Sequence, residues 1–174
     1  NVAGGLEKII DSASGLLRFL GRDSELVREI RAAIGDIVAA NDASLLSRLI
    51  LKLPDIVKGT QVERNLLVGQ AGEAIGKLLE LVQQGADIAF LTAILGAAPD
   101  LFRQIGRIES ILFQVRSAFQ ALANSNNEAA LREILQLSPA LLQLLGRDAA
   151  ILRDLGTAFT NLLKLATTGT VNQS

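Results

Sequence analysis

Few residues in this chain have the types and spacing that chemistry requires. Asp36 and Glu80 are carboxylates at matching places of two successive helical segments, which would hold them about 10 Å apart across a helix stack. A hydrolytic pair needs a polar surround that sets one carboxyl apart from the other. The chain has no His and no Tyr to provide it, so the two read as part of a solvated surface. It also lacks Cys, Met and Trp, which together with the missing His removes thiol and imidazole nucleophiles, zinc- or copper-type ligands and any disulfide framework. No catalytic residue, metal site or cofactor is expected.

Two glycine-containing patterns resemble functional motifs and have simpler readings. Gly69-Gln70-Ala71-Gly72-Glu73-Ala74-Ile75-Gly76 is glycine-rich, as phosphate-cradling loops are, but no Lys-Ser or Lys-Thr follows it and no strand precedes it. Gly69, Gly72 and Gly76 instead share one helical face, which predicts the tightest helix crossing there. Gly21-Arg22-Asp23 and Gly146-Arg147-Asp148 read as helix punctuation. Gly ends one helix, left-handed at Gly146, Arg lies in the turn, and Asp caps the next helix.

Helices must therefore position whatever function there is. Of 174 residues 49% are hydrophobic and 20% charged, enough apolar surface for one buried core and too much for a disordered chain. The net charge of -1 creates no field to draw nucleic acid or anionic lipid. Polar residues interrupt the apolar stretches before the roughly 18 residues of a membrane span. Neither nucleic-acid binding nor a membrane span is expected. Phe19, Phe90, Phe102, Phe113, Phe119 and Phe159 fall within apolar stretches and are expected in the core. The opening at Asn1, without Met or a signal-peptide pattern, is what a processed or excised piece would show.

The sequence repeats itself. Leu16-Leu17-Arg18-Phe19-Leu20-Gly21-Arg22-Asp23 returns as Leu141-Leu142-Gln143-Leu144-Leu145-Gly146-Arg147-Asp148, and Leu101 to Arg107 is a third copy. A looser fourth starts at Pro54. Starts at Ser14, Pro54, Pro99 and Pro139 lie 40, 45 and 40 residues apart, and the first half overlays the second at an offset of 85, matching Arg31 with Arg116 and Pro54 with Pro139. Four units follow, at about 1–40, 41–84, 85–125 and 126–168, with a polar tail over 167–174. In the last unit Glu128 to Leu137 predicts a short helix, Ser138-Pro139 the capped start of a second that stops at Gly146, and Asp148 the cap of a long third.

A short helix, a Pro-started helix and a long helix in roughly 42 residues resemble the armadillo repeat, carried by Asn126-Asn127-Glu128 through Ile134, Pro139 through Leu145, and Ala158-Phe159 through Ala166. That resemblance implies an all-α fold, a right-handed α-solenoid of four three-helix repeats in a single domain. It also implies a concave surface on the third helices, at Ala32 and Asp36, Gly76 and Glu80, Ser117 and Ala121, and Thr160 and Lys164. Peptide-holding members carry Trp and Asn at those paired places, and neither type is present here, so the backbone-binding ladder of a generic peptide groove is missing.

The expected function is a non-enzymatic protein-interaction or scaffold domain with a protein partner. Two other readings stand beside it: a structural repeat unit of a secreted fibrous or adhesive, silk-like protein, and a carrier of an apolar ligand. Leu6, Ile9 and Ile10 near one end and Leu162, Leu163 and Leu165 near the other further predict self-association as a homo-oligomer, because terminal repeats need polar outer faces.

Overall fold

Start and stop signals divide the chain into helices, and the computed structural model describes the backbone of residues 2–146 and 148–173 and the side chains of 4–146 and 148–168. Among the described residues there are eight α-helices and no strand, and the protein is 86% helical. They are α1 (Val2–Leu20), α2 (Ser24–Ala39), α3 (Ala43–Gly59), α4 (Arg64–Gln83), α5 (Thr92–Ile105), α6 (Glu109–Ala123), α7 (Glu128–Leu145) and α8 (Ala149–Gln173), with a 3-10 turn at Ile88–Leu91 before α5. α8 continues through the residues read as a polar tail, as far as Gln173.

Side-chain caps fix four of the starts. Asp23 accepts from the Glu25 and Leu26 amides, Asp42 from Leu45, Asn127 from Ala130 and Asp148 from Ile151, all at 2.9–3.1 Å. Each satisfies helix-end N–H groups that would otherwise lack a partner. Arg147, assigned to the turn between α7 and α8, lies outside the described residues.

The expected break at Ser138-Pro139 is absent. α7 runs unbroken through Pro139, as α3 does through Pro54 and α5 through Pro99, so the predicted first and second helices of each unit are one helix and a unit is a helix pair. A Pro inside a helix costs about 3 kcal/mol, because its ring clashes with the preceding turn and one hydrogen bond is lost. The apolar stripe keeps helical phase across it: Ile134, Ser138, Leu141 and Leu145 are spaced four, three and four apart, and all are buried. Ser138 does not cap a new helix. Its hydroxyl donates back to the Ile134 carbonyl at 2.6 Å. In α3, Leu49, Ile50, Leu53, Ile56 and Val57 are completely buried on both sides of Pro54. At about 1.5–3 kcal/mol for each large aliphatic side chain, that burial outweighs the Pro penalty.

The pairs are arranged in two layers. α1, α3, α5 and α7 pack one on the next, α2, α4, α6 and α8 do the same, and the two helices of each pair pack on one another. One cluster of buried apolar side chains runs from Leu6 in α1 to Ala158 in α8. The longer 45-residue spacing between Pro54 and Pro99 is explained by the inserted 3-10 turn, whose Leu91 is buried and which touches α3, α4, α5, α6 and α7.

Two expectations change here. Ile88–Ile105 is long and apolar enough to cross a membrane by length and composition, so polar residues do not interrupt every apolar stretch short of a span. In the fold it is the 3-10 turn and α5, a helix flanked by α3 and α7, with Ala93, Ile94, Leu95, Ala97, Ala98, Leu101 and Phe102 buried. The tightest backbone approach is also not at Gly69, Gly72 and Gly76. A Cβ on Gly69 would meet nothing within 4 Å, one on Gly72 would lie 3.7 Å from Ile111, and one on Gly76 3.0 Å from the Gln114 amide. Among the described glycines Gly21 is tightest: its Cβ would fall 1.9 Å from the Gly59 carbonyl oxygen. Main chain meets main chain there, and the Gln61 amide donates to the Gly21 carbonyl at 2.9 Å.

Candidate functional site

The positions expected to form an interaction surface all lie on the second helices of the pairs. Ala32 and Asp36 are on α2, Gly76 and Glu80 on α4, Ser117 and Ala121 on α6, and Thr160 and Lys164 on α8. Ala32, Asp36, Glu80, Thr160 and Lys164 are exposed, and Gly76, Ser117 and Ala121 are half-buried. They therefore line one helix layer in chain order. Glu80 does not face Asp36 as a partner but lies 4.0 Å from Lys77 and accepts from the Gln84 side chain at 3.2 Å. Among the described residues no group of three or more acidic, His or Cys side chains is placed to hold a metal ion.

What holds this layer in register is a series of side-chain amides that donate to carbonyls of the preceding second helix. Gln70 of α4 reaches the Arg31 carbonyl at 2.8 Å, Gln114 of α6 reaches Gly72 at 3.1 Å, and Asn161 of α8 reaches Ala123 at 3.1 Å. Gly76 leaves the space that the Gln114 amide occupies. The armadillo resemblance implies a binding ladder on this layer, and its residue types are absent from the matching positions. The amides that are present one or more residues away tie helix to helix.

Arginine–carboxylate contacts join the pairs and repeat at the offset of 85. Arg31 meets Glu63 at 3.1 Å, and Arg116 meets Asp148 at 3.3 Å. Arg31 Nε and Arg116 Nε are both buried without a hydrogen-bond partner among the described residues. The carboxylates differ in detail. Glu63 has a left-handed backbone (φ 54°) and makes no capping hydrogen bond; its carboxylate is engaged by Arg28 and Arg31 of α2. The Arg28 hydrogen bond first, and Arg31 behind it, hold the Glu63 carboxyl below its usual range against the opposing effect of burial. Asp148 both caps α8 and receives Arg116, which also donates to the Leu145 carbonyl at 3.0 Å.

Of the six Phe expected in the core, Phe102 and Phe119 are buried and Phe90 is half-buried. Phe19, Phe113 and Phe159 are exposed, at 83%, 70% and 59%. Helical phase is the signal that was available. At about 100° per residue, Phe19 is about 200° round α1 from buried Leu17, and Phe113 lies opposite the stripe of Ile111, Val115, Ala118 and Leu122.

The two ends differ from the expected apolar sets in the same way. Leu6 and Ile10 point into the core while Ile9 and Leu16 are exposed, and at the far end Leu152, Phe159 and Leu163 are exposed while Leu162 and Leu165 are half-buried. Ile9 and Leu16 line a mainly apolar groove of about 420 Å³ between α1 and α2, with Gly5, Ser12, Leu26 and Ile30 and the charged Lys8 and Glu29. No family model, curated protein or solved structure matches this chain.

Proposed function

We propose that this chain is a non-enzymatic protein-interaction or scaffold domain, a right-handed α-solenoid of four armadillo-like units in which the first two helices of each armadillo unit are merged into one. The observation that carries the reading is the packing order, first helix on first helix and second on second, which leaves the second-helix layer as a continuous accessible row. A protein partner binds along that row, across Asp36, Glu80, Ser117 and Thr160. The two acidic and two hydroxyl side chains there suit a polar protein surface better than an apolar ligand.

The test uses surface charge. The wild-type chain and a variant carrying Asp36→Arg, Glu80→Arg, Ser117→Arg and Thr160→Arg are immobilised and exposed to one displayed library of folded domains and peptides. Retention of a defined set by the wild type and its loss from the variant, with the melting temperature unchanged, is the expected result. Equal retention by both chains would overturn the placement of the surface.

A further inference from the structure

The internal repeat gives the two ends of the molecule a specific relationship. The two halves of the chain meet where α3 and α4 receive α5 and α6, with Ile111 of α6 against Gly72 of α4 and Gln114 donating to the Gly72 carbonyl. On the receiving side, the layer face of α4 is Val68, Gly72, Ile75 and Leu79. A register 84 residues on, set by the buried pairs Leu67 with Ile151 and Ala74 with Ala158, places Leu152, Gly156, Phe159 and Leu163 of α8 in those positions. Ile75 is 1% exposed, and its counterpart Phe159 is 59% exposed. Gly156, the counterpart of Gly72, has nothing within 4 Å of where its Cβ would be.

The incoming side repeats in the same way. At the offset of 85, Ile9, Ser12 and Leu16 of α1 and Leu26 and Ile30 of α2 match Ile94, Ala97, Leu101, Ile111 and Val115, all of which are buried. Their counterparts on α1 and α2 line the open apolar groove at the start of the molecule. The chain thus carries both faces of its own central junction, one uncovered at each end.

We infer that a second copy of this chain docks its α1–α2 groove onto the α8 face, repeating the junction between the two halves and extending the stack head to tail. Charge distinguishes this contact from the internal one. Glu29 stands where the internal junction has Gln114, and Lys164, one turn beyond Thr160, is the counterpart of Glu80 of α4; Lys8 stands where the junction has Ala93. The changes at Glu29 and Lys164 are of opposite sign, so a Glu29–Lys164 pair between copies takes the place of the amide-to-carbonyl bond. The contact joins two different faces, so association is not limited to a dimer. The inference rests on the stacked-unit reading, and it is independent of what binds along the second-helix row.

The experiment is a mixing test by sedimentation equilibrium on full-length chains. Leu16→Asp blocks the groove and Leu163→Asp blocks the α8 face; both residues are exposed, so circular dichroism should be unchanged, and Ile9→Asp with Phe159→Asp serves as an independent pair. Wild-type mass should rise with concentration without a plateau at the dimer. Each blocked chain alone should be monomeric, and an equimolar mixture of the two should give a dimer and nothing larger. Glu29→Lys should weaken wild-type association roughly tenfold, and Lys164→Glu on the partner should restore it. A monomeric wild type, a blocked chain that still self-associates, or a mixture that stays monomeric would overturn the inference. The library result on the second-helix row would stand in any of those cases.

Discussion

The junction between the first two helix pairs and the junction between the last two are built on the same repeat and held differently. In the first, Gly21 and Gly59 are needed because main chain passes main chain: a Cβ on either would fall 1.9 Å from a carbonyl oxygen or 2.7 Å from the Leu17 Cβ. In the second, Gly106 and Gly146 have open space around them and are needed for their backbone, with φ of 78° and 90°. The left-handed helical conformation expected at Gly146 is not the one found. Its ψ of -175° puts it in an extended positive-φ region that only glycine occupies readily, so the residue turns the chain sharply away from α7. One repeated glycine thus answers two physical demands, close approach in one half and torsion in the other.

The largest expected effect follows at Gly21. Gly21→Ala forces two backbone segments apart, so equilibrium urea unfolding should show a loss of about 3 kcal/mol or more. If the loss were no larger than at Gly146, the contrast between the two junctions would fail. Gly146→Ala should cost about 1–2 kcal/mol, and Gly146→Val little more than that, because the penalty is torsional and no neighbour is met. Gly69→Ala, in an exposed helical turn, is the control and should stabilise by up to about 1 kcal/mol.

Why the two junctions looked alike in the sequence is instructive. Gly21-Arg22-Asp23 and Gly146-Arg147-Asp148 have identical letters, and the letters do report helix end and helix cap. They cannot report which carbonyl from a distant segment lies across the turn, because that depends on Gly59 of the next pair. The all-helical fold was legible because apolar residues recur at three and four throughout. The helix count was less legible: Pro139 signals a local break, but the apolar phase from Ile134 to Leu145 is unbroken and tertiary burial outweighs a local penalty of that size. The row from Ala32 to Lys164 was legible as a set of positions on one layer. Residue type alone places Phe19, Phe113 and Phe159 in the core, whereas helical phase puts them on the exposed faces where they lie.

A smaller difference should appear at the arginine contacts. Asp148→Ala removes both a cap and the Arg116 partner and should cost about 1 kcal/mol, most of it from the cap and therefore insensitive to salt. Glu63 makes no cap, so its contribution is electrostatic. Its carboxyl in the folded state ionises below the usual 4.5. That stabilisation is complete above about pH 4.5 and is lost as pH falls through the lowered folded value. Glu63→Gln should therefore flatten the acid limb of the stability profile and leave the Asp148 side unchanged; an unaltered acid limb would show that Arg28 and Arg31 do not hold Glu63 in solution.

The layering and the matched ends both derive from one contact, the packing of α6 on α4 where the two halves meet. The chain has no cysteine, so a pair introduced across the contact reports on it alone. Gly72 and Ile111 face each other there, with the Gly72 Cβ position 3.7 Å from Ile111 Cγ1. The variant carrying Gly72→Cys and Ile111→Cys, oxidised at low concentration, should form one intramolecular disulfide and keep its helical circular dichroism, because a sulfur in the place of Ile111 Cγ1 would lie 3.7 Å from the Gly72 Cβ position. A folded, fully helical chain whose two thiols stay free, or cross-link only between molecules, would contradict the stacked arrangement.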